Sequence, residues 1–194
     1  MPLVVSTPPA QEPIDTSLVK AHLNLVRDDE EDYLTHLIKC AREHTETYIN
    51  RALLTQTLKL VRDDFPNNRV IELERSPVQS VTSVQYTDSD GNEQTFADTN
   101  YTTSLNSMPG RVILDVGRAW PTPKDSGEVV WVNYVAGYTL KTLIPTPIIQ
   151  GMMTLIAHWY ANRETVAIVQ GIASVDVPDT FKHLVIPYRV WSKC

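Results

Sequence analysis

His36, Cys40 and His44 recur at i, i+4 and i+8, a spacing that can line up imidazole and thiolate metal ligands along one helix face. At 100° per residue, however, the three drift over roughly 80° of arc. No fourth ligand accompanies them. The expectation is a helix flank, with His36 in solvent, His44 at the border of the core, and no metal site. The acidic run at 28–32 (DDEED) does not have the spacing of a calcium loop and lacks the glycine such a loop needs at its sharp turn. Carboxylates gather at helix starts because the first amides carry partial positive charge, and that is the reading taken here. Asp88, Asp90 and Asn92 around Gly91 come closer to a cation loop, but Asp-Gly is turn chemistry. His158 has no Ser, Cys or carboxylate placed to make it a base. The seven glycines are scattered, so there is no phosphate-cradling loop, no Gly-x-Ser-x-Gly turn and no His-Glu-x-x-His pair. Catalytic, cofactor-binding and metal residues are all expected to be absent, and the chain is not read as an enzyme.

Recognition chemistry is concentrated near the C-terminal end. Phe181, His183, Tyr188, Arg189 and Trp191 fall within eleven residues, interleaved with Leu184, Val185, Ile186 and Val190. Tyr, Trp and Arg are the types enriched where binding energy is focused at protein interfaces. These five are candidate docking residues; the alternative is a tail folded back on its own helices. Asn162, Arg163 and Glu164 close the preceding long helix. They read either as a helix C-terminus, where the dipole favours Arg, or as a subunit contact made through the forked Arg donors.

The elements that must position these groups follow from periodicity. Asp15, Thr16 and Ser17 can start a short helix whose Leu18, Ala21, His22 and Leu25 share a face. Leu34, Leu37, Ile38, Ala41, Thr45, Tyr48 and Ile49 predict a helix over 29–51. The period then falls to two: strands are expected at 56–65, 69–73 and 80–87, with a hairpin turn at 89–93 leading into QTFA. Strands at 101–105, in RVILDV after a turn at 108–110, and at 128–136 complete the set. The last is apolar on both faces, which predicts a central strand. Helical spacing returns after Pro145 and Pro147, with Thr146 as a possible cap and Ile148, Met152, Leu155, Ile156 and Trp159 in a stripe wider than a surface helix needs. A last short helix is expected to be capped by Asp179 and to end at Pro187. The expected fold is α+β: a helical core contributed by the N- and C-terminal thirds, with an inserted, mainly antiparallel β domain. The boundaries read as an extended arm at 1–14, helical core at 15–55 and 139–165, β domain at 56–138, and a loop with a C-terminal docking segment at 166–194.

Composition narrows the function classes. The chain has 194 residues, 42% hydrophobic and 21% charged, enough for one sizeable domain or a core with an inserted one. Net charge is −6, spread as −1 over 1–14, −3 over 15–55, −4 over 56–138 and +2 over 139–194. An acidic body argues against gripping nucleic acid, which needs clustered Lys and Arg, but suits a channel wall past which DNA slides. No apolar run approaches the ~20 residues of a membrane span. The opening MPLVVSTPPAQEP lacks the basic start of a secretory signal. Two cysteines, Cys40 and Cys194, fit a reducing compartment.

The order of short motifs carries a resemblance. Leu34, Leu37, Ile38, Ala41, Tyr48, Arg51, Ala52 and Leu53 are followed at once by Thr55-Gln56-Thr57. Then come SPVQSVTSV (76–84), an Asp-Gly hairpin, PGRV (109–112), Trp120-Pro121, and VNYVAGY (132–138). The series closes with Pro145-x-Pro147-Ile148 and HWYANRE (158–164). Over residues of about 15–190 this is similar to the head–tail connector, or neck adaptor, proteins of long-tailed bacteriophages and gene transfer agents. The resemblance implies a structural virion protein in the neck, present in the host cytoplasm during assembly. It implies a homo-oligomeric ring, usually of twelve copies, which joins the portal at the capsid vertex to a stopper or tail-terminator protein. Double-stranded DNA would pass through the ring without sequence-specific binding, and no membrane is involved. It also implies that residues 178–194 engage the portal, which would make Phe181, His183, Tyr188, Arg189 and Trp191 portal contacts. Two other readings stay open: another neck component such as a stopper or tail-completion protein, and a small hydrolytic or carbohydrate-binding module using Trp120, Trp131 and Tyr134.

Overall fold

A computed structural model describes residues 2–26, 29–163 and 178–191. The fold is α+β, with N- and C-terminal helices and central antiparallel sheets. The described residues form two units. One takes in residues up to Ala10, Asn50–Thr139 and those from Val190; the other takes in Gln11–Ile49 and Leu140–Arg189.

In the strand unit, alternation fixes which face is buried. Strand β1 is Leu3–Thr7, β2 is Gln56–Arg62, β3 is Val70–Leu73, β4 is Val78–Thr87 and β5 is Glu93–Phe96. Strands β6 (Tyr101–Ser104), β7 (Gly110–Leu114) and β8 (Val130–Ala136) complete the set. A five-stranded sheet runs β1-β2-β8-β4-β5 and a three-stranded sheet runs β3-β7-β6, all neighbours antiparallel. The period of two sets Leu58 and Leu60 opposite Tyr134 and Val132, and these four are fully buried with Ile71, Leu73 and Val112 of the smaller sheet. Each such side chain contributes about 1.5–3 kcal/mol relative to exposure. Strand β8 lies third of five, as its two apolar faces require. Gly137 follows it at φ +111, where a Cβ would collide with the Leu54 backbone carbonyl. Only glycine suits that turn.

One expectation changes here. Residues 3–7, read as part of a free arm, are an edge strand paired to β2 in the register Leu3↔Leu60, Val4↔Lys59 and Val5↔Leu58. Three β-branched residues in an uncharged stretch satisfy their backbone groups on the nearest open edge.

The helical unit contains α1 (Thr16–Leu23), α2 (Glu31–Ile49), α3 (Thr146–Ala161) and α4 (Asp179–Val185), the last continuing as a 3-10 turn over Ile186–Tyr188. Helix α1 stops where Asn24 takes a left-handed conformation and its amide returns to Ala21 and Lys20. Leu34, Leu37, Ile38, Ala41, Thr45 and Ile49 form the buried face of α2. The caps differ from expectation. Pro145, not Thr146, precedes the first turn of α3, and Pro178, not Asp179, precedes that of α4. Proline needs no amide partner, so it occupies these starts without a side-chain cap. The wide stripe of α3 is taken up within the helical unit. Ile148, Met152, Leu155 and Ile156 are all buried inside the helical unit, because α1, α2 and α4 each pack against α3.

Candidate assembly surface

Residues 178–189 are built outward from two buried anchors. Phe181 and Val185, one helical turn apart, are fully buried. The Phe181 ring lies 5.4 Å from Tyr48 and 5.5 Å from His44. Opposite them stands Gly151 of α3, where a Cβ would sit 2.8 Å from Val185 Cγ1 and 3.3 Å from Phe181 Cδ2. The missing side chain is what lets α4 approach so closely. Phe181 therefore seats the segment.

The other four candidates lie nearer solvent. His183 and Arg189 are exposed and Tyr188 is half-buried. The Arg189 guanidinium lies 5.5 Å from the centre of the Tyr48 ring, a cation–π approach. Trp191 is 68% exposed, although Val190 before it is buried and accepts a hydrogen bond on its carbonyl from Asn50 Nδ2 at 3.4 Å.

The second candidate cluster is held more tightly. The Asn162 side chain donates to the His158 carbonyl at 2.8 Å and so closes α3. Arg163 Nη2 lies 2.6 Å from Glu30 Oε1, and its guanidinium is flanked by the rings of Tyr33 and Tyr160 at 4.6 and 4.5 Å. Tyr160 also donates to Glu30. The hydrogen bond to Glu30 raises the proton affinity of both Arg163 and Tyr160. Glu164 lies outside the described residues. Sequence reading missed Glu30 and Tyr48 as partners, since both are distant in sequence from the groups they hold. Gly151 was legible as a glycine in mid-helix, a position that usually has a packing reason.

The groups considered for other chemistry are accounted for by the fold. His36 Nε2 and Cys40 Sγ lie 3.5 Å apart, while His44 turns to Trp159 (5.9 Å, edge-on) and Phe181. Among the described residues no group of three His, Cys, Asp or Glu is placed to hold a metal. The Asp88 carboxylate accepts from the amides of Asp90 and Asn92 and from Gln94 Nε2, and these bonds, led by that of Asn92, hold its pKa below the usual range. Trp120 stacks on Phe65 at 5.0 Å and Lys59 covers Trp131 at 4.5 Å, while Tyr134 is fully buried. Those rings pack within the strand unit. No described helix is long and apolar enough to cross a membrane.

His44 supplies a pH test of the helical unit. Burial lowers its pKa below the ordinary histidine value. A group that binds its proton less readily when folded gives stability that is complete above the unfolded value, near 6.5, and is lost as pH falls below it. The unfolding midpoint in urea is expected to drop from pH 7.5 to pH 5.5, and His44→Gln to lose less of it. An equal drop in both proteins would contradict the assignment.

With this geometry in place, residues 13–189 match the head completion protein family. The chain belongs to that family. This is what answers the enzyme question: the protein is a structural head completion protein. No curated protein matches the sequence. Solved structures share the whole fold. One chain of the virion of a native gene transfer agent particle aligns at a TM-score of 0.79 and 20% identity, covering 100% of this chain and 98% of that one. A chain of the neck of an empty gene transfer agent particle, computed with C6 symmetry, aligns at 0.80 and 20% with the same coverage. A chain of the native neck, computed with C12 symmetry, aligns at 0.72 and 18%, again over 100% and 98%.

Proposed function

We propose that this head completion protein is a neck adaptor: copies assemble into a ring, of twelve by expectation, between the portal and a stopper or tail-terminator protein. The observation that carries the reading is the end-to-end likeness of fold to chains in gene transfer agent necks, joined to the family membership. The C6 and C12 symmetries of those necks support self-assembly about a channel axis. Head-to-tail contacts between copies close into such a ring. The acidic strand unit suits a channel that DNA passes without sequence-specific contacts.

In this reading the portal contact is made by the segment seated by Phe181, with His183, Tyr188, Arg189 and Trp191 presented outward. Asn162 and Arg163 belong to the contact between copies. Deleting the whole segment is a poor test, because it also removes Phe181 and Val185 from the helical core. Trp191→Ala is cleaner. It is expected to weaken binding to purified portal rings by about 2 kcal/mol, roughly thirtyfold, as for a central interface tryptophan. The circular dichroism spectrum should be unchanged. Equal binding by both proteins would refute the portal contact. Loss of binding to a stopper instead of the portal would move the chain to another place in the neck.

A further inference from the structure

Strand β1 is attached to the fold in a way that suits exchange between copies. Of its side chains only Leu3 packs against the strand core, while Val4 and Val5 are 47% and 49% exposed. Its hold on β2 is therefore mostly backbone hydrogen bonding, extended by the Val61 amide donating to the Pro2 carbonyl at 3.1 Å. Residues 2–11 carry no charge, so the strand has none of the lysines or glutamates that usually discourage an edge from pairing with another chain. Pro8, Pro9 and Pro13 stiffen the connection that follows and keep it extended. That connection is fastened at its far end, where Arg42 Nε bonds Glu12 Oε2 at 2.7 Å and Ile14 is buried. The strand can leave while its root stays fixed.

The acceptor is equally specific. With β1 gone, β2 becomes the edge of the five-stranded sheet. It would then expose a row of backbone groups beside Leu58 and Leu60, an opening that favours being refilled. Pairing the outer edges β1 and β5 of neighbouring copies is a poorer solution. Four steps of about −20° turn these edges by roughly 80° to one another, and repeating that turn does not close a ring of six or twelve. Exchange repeats the existing β1–β2 contacts and imposes no such turn. The five Cα–Cα steps from Thr7 to Glu12 reach at most roughly 17 Å, so only an adjacent copy is accessible.

We propose that in the assembled ring β1 of each copy pairs with β2 of its neighbour, each copy giving one strand and receiving one. This rests on the ring reading above, and it adds a contact that costs little to form, because the bonds broken and made are the same.

Cysteines placed at Val4 and Lys59, which sit directly opposite, provide the test. Opposed Cα atoms about 4.5–5.5 Å apart fall within disulfide range. In a chain carrying Cys40→Ser and Cys194→Ser, V4C/K59C is oxidised both as free protein and in particle necks. The free protein is expected to give an internal disulfide and a monomer band. The necks are expected to give a ladder of covalent multimers, abolished by reductant. Should V4C/K59C fold poorly, T7C/T57C bridges the next pair, beyond the register shift that follows Val5. Rings seen by microscopy with monomer bands alone would overturn the exchange and leave the ring standing. Necks without a ring of this chain would overturn both.

Discussion

Gly151→Leu is expected to lift α4 off α3 and, on the proposal above, to weaken docking on the portal. Even a lone Cβ there meets Val185 Cγ1 at 2.8 Å, and the three further atoms of leucine would meet the Phe181 ring. Overfilling of this kind costs about 1–3 kcal/mol. Leucine is a better helix former than glycine by roughly 0.8–1 kcal/mol, which offsets part of the loss in stability. Nothing offsets the loss of position. Limited proteolysis should cut within residues 178–191 far faster than in the parent chain, and portal binding should fall at least as much as for Trp191→Ala. Gly151→Ala should lie between the two. Parent-like proteolysis and binding in Gly151→Leu would show that α4 is not seated as described.

The second large effect is thermodynamic. Arg42 is buried on α2 and bonds three carboxylates: Glu12 at 2.7 Å, Glu46 at 3.1 Å and Glu43 at 3.3 Å. Glu46 is buried with it. Burial works against the guanidinium charge, but the Glu12 hydrogen bond and the fields of Glu46, Glu12 and Glu43 outweigh it and raise the pKa. Arg42→Ala removes the guanidinium bonded to the buried Glu46, and breaking a buried pair in this way costs about 3–5 kcal/mol. The double change R42M/E46L removes both charges and is expected to cost much less, giving a large coupling energy in a double-mutant cycle of urea unfolding. A loss below about 1 kcal/mol for Arg42→Ala would mean the network is a solvated ornament of the surface. Because Arg42 also holds Glu12, its loss should loosen the root of β1 and lower the yield of rings.

Periodicity made the fold legible because burial in this chain is one-sided in the helices and two-sided in β8. Leu34 to Ile49 recur at helical spacing and are buried along one face; Val130 to Ala136 alternate with Trp131 and Val135, and the strand is central. Composition could not tell that residues 3–7 form a strand. A five-residue, half-exposed stretch has the same local signal whether it pairs at an edge or stays free, and only the vacancy along β2 decides. The candidate surface was legible in type and not in role. Phe181 and Trp191 are both aromatic anchors in the sequence, yet one is fully buried and the other 68% exposed. The burial of Phe181 depends on Gly151, thirty residues away on another helix. Arg163 was open to two readings for the same reason: Glu30, which pairs with it, lies at the start of α2.

The most direct test of the neck-adaptor account is an asymmetrically refined image of the neck in particles assembled with and without this chain. The account predicts a ring of this protein against the portal, with density for the 178–191 segment crossing to it. Heads lacking the chain should release their DNA and fail to acquire tails. Tailed, DNA-filled particles formed at normal yield in its absence would contradict it.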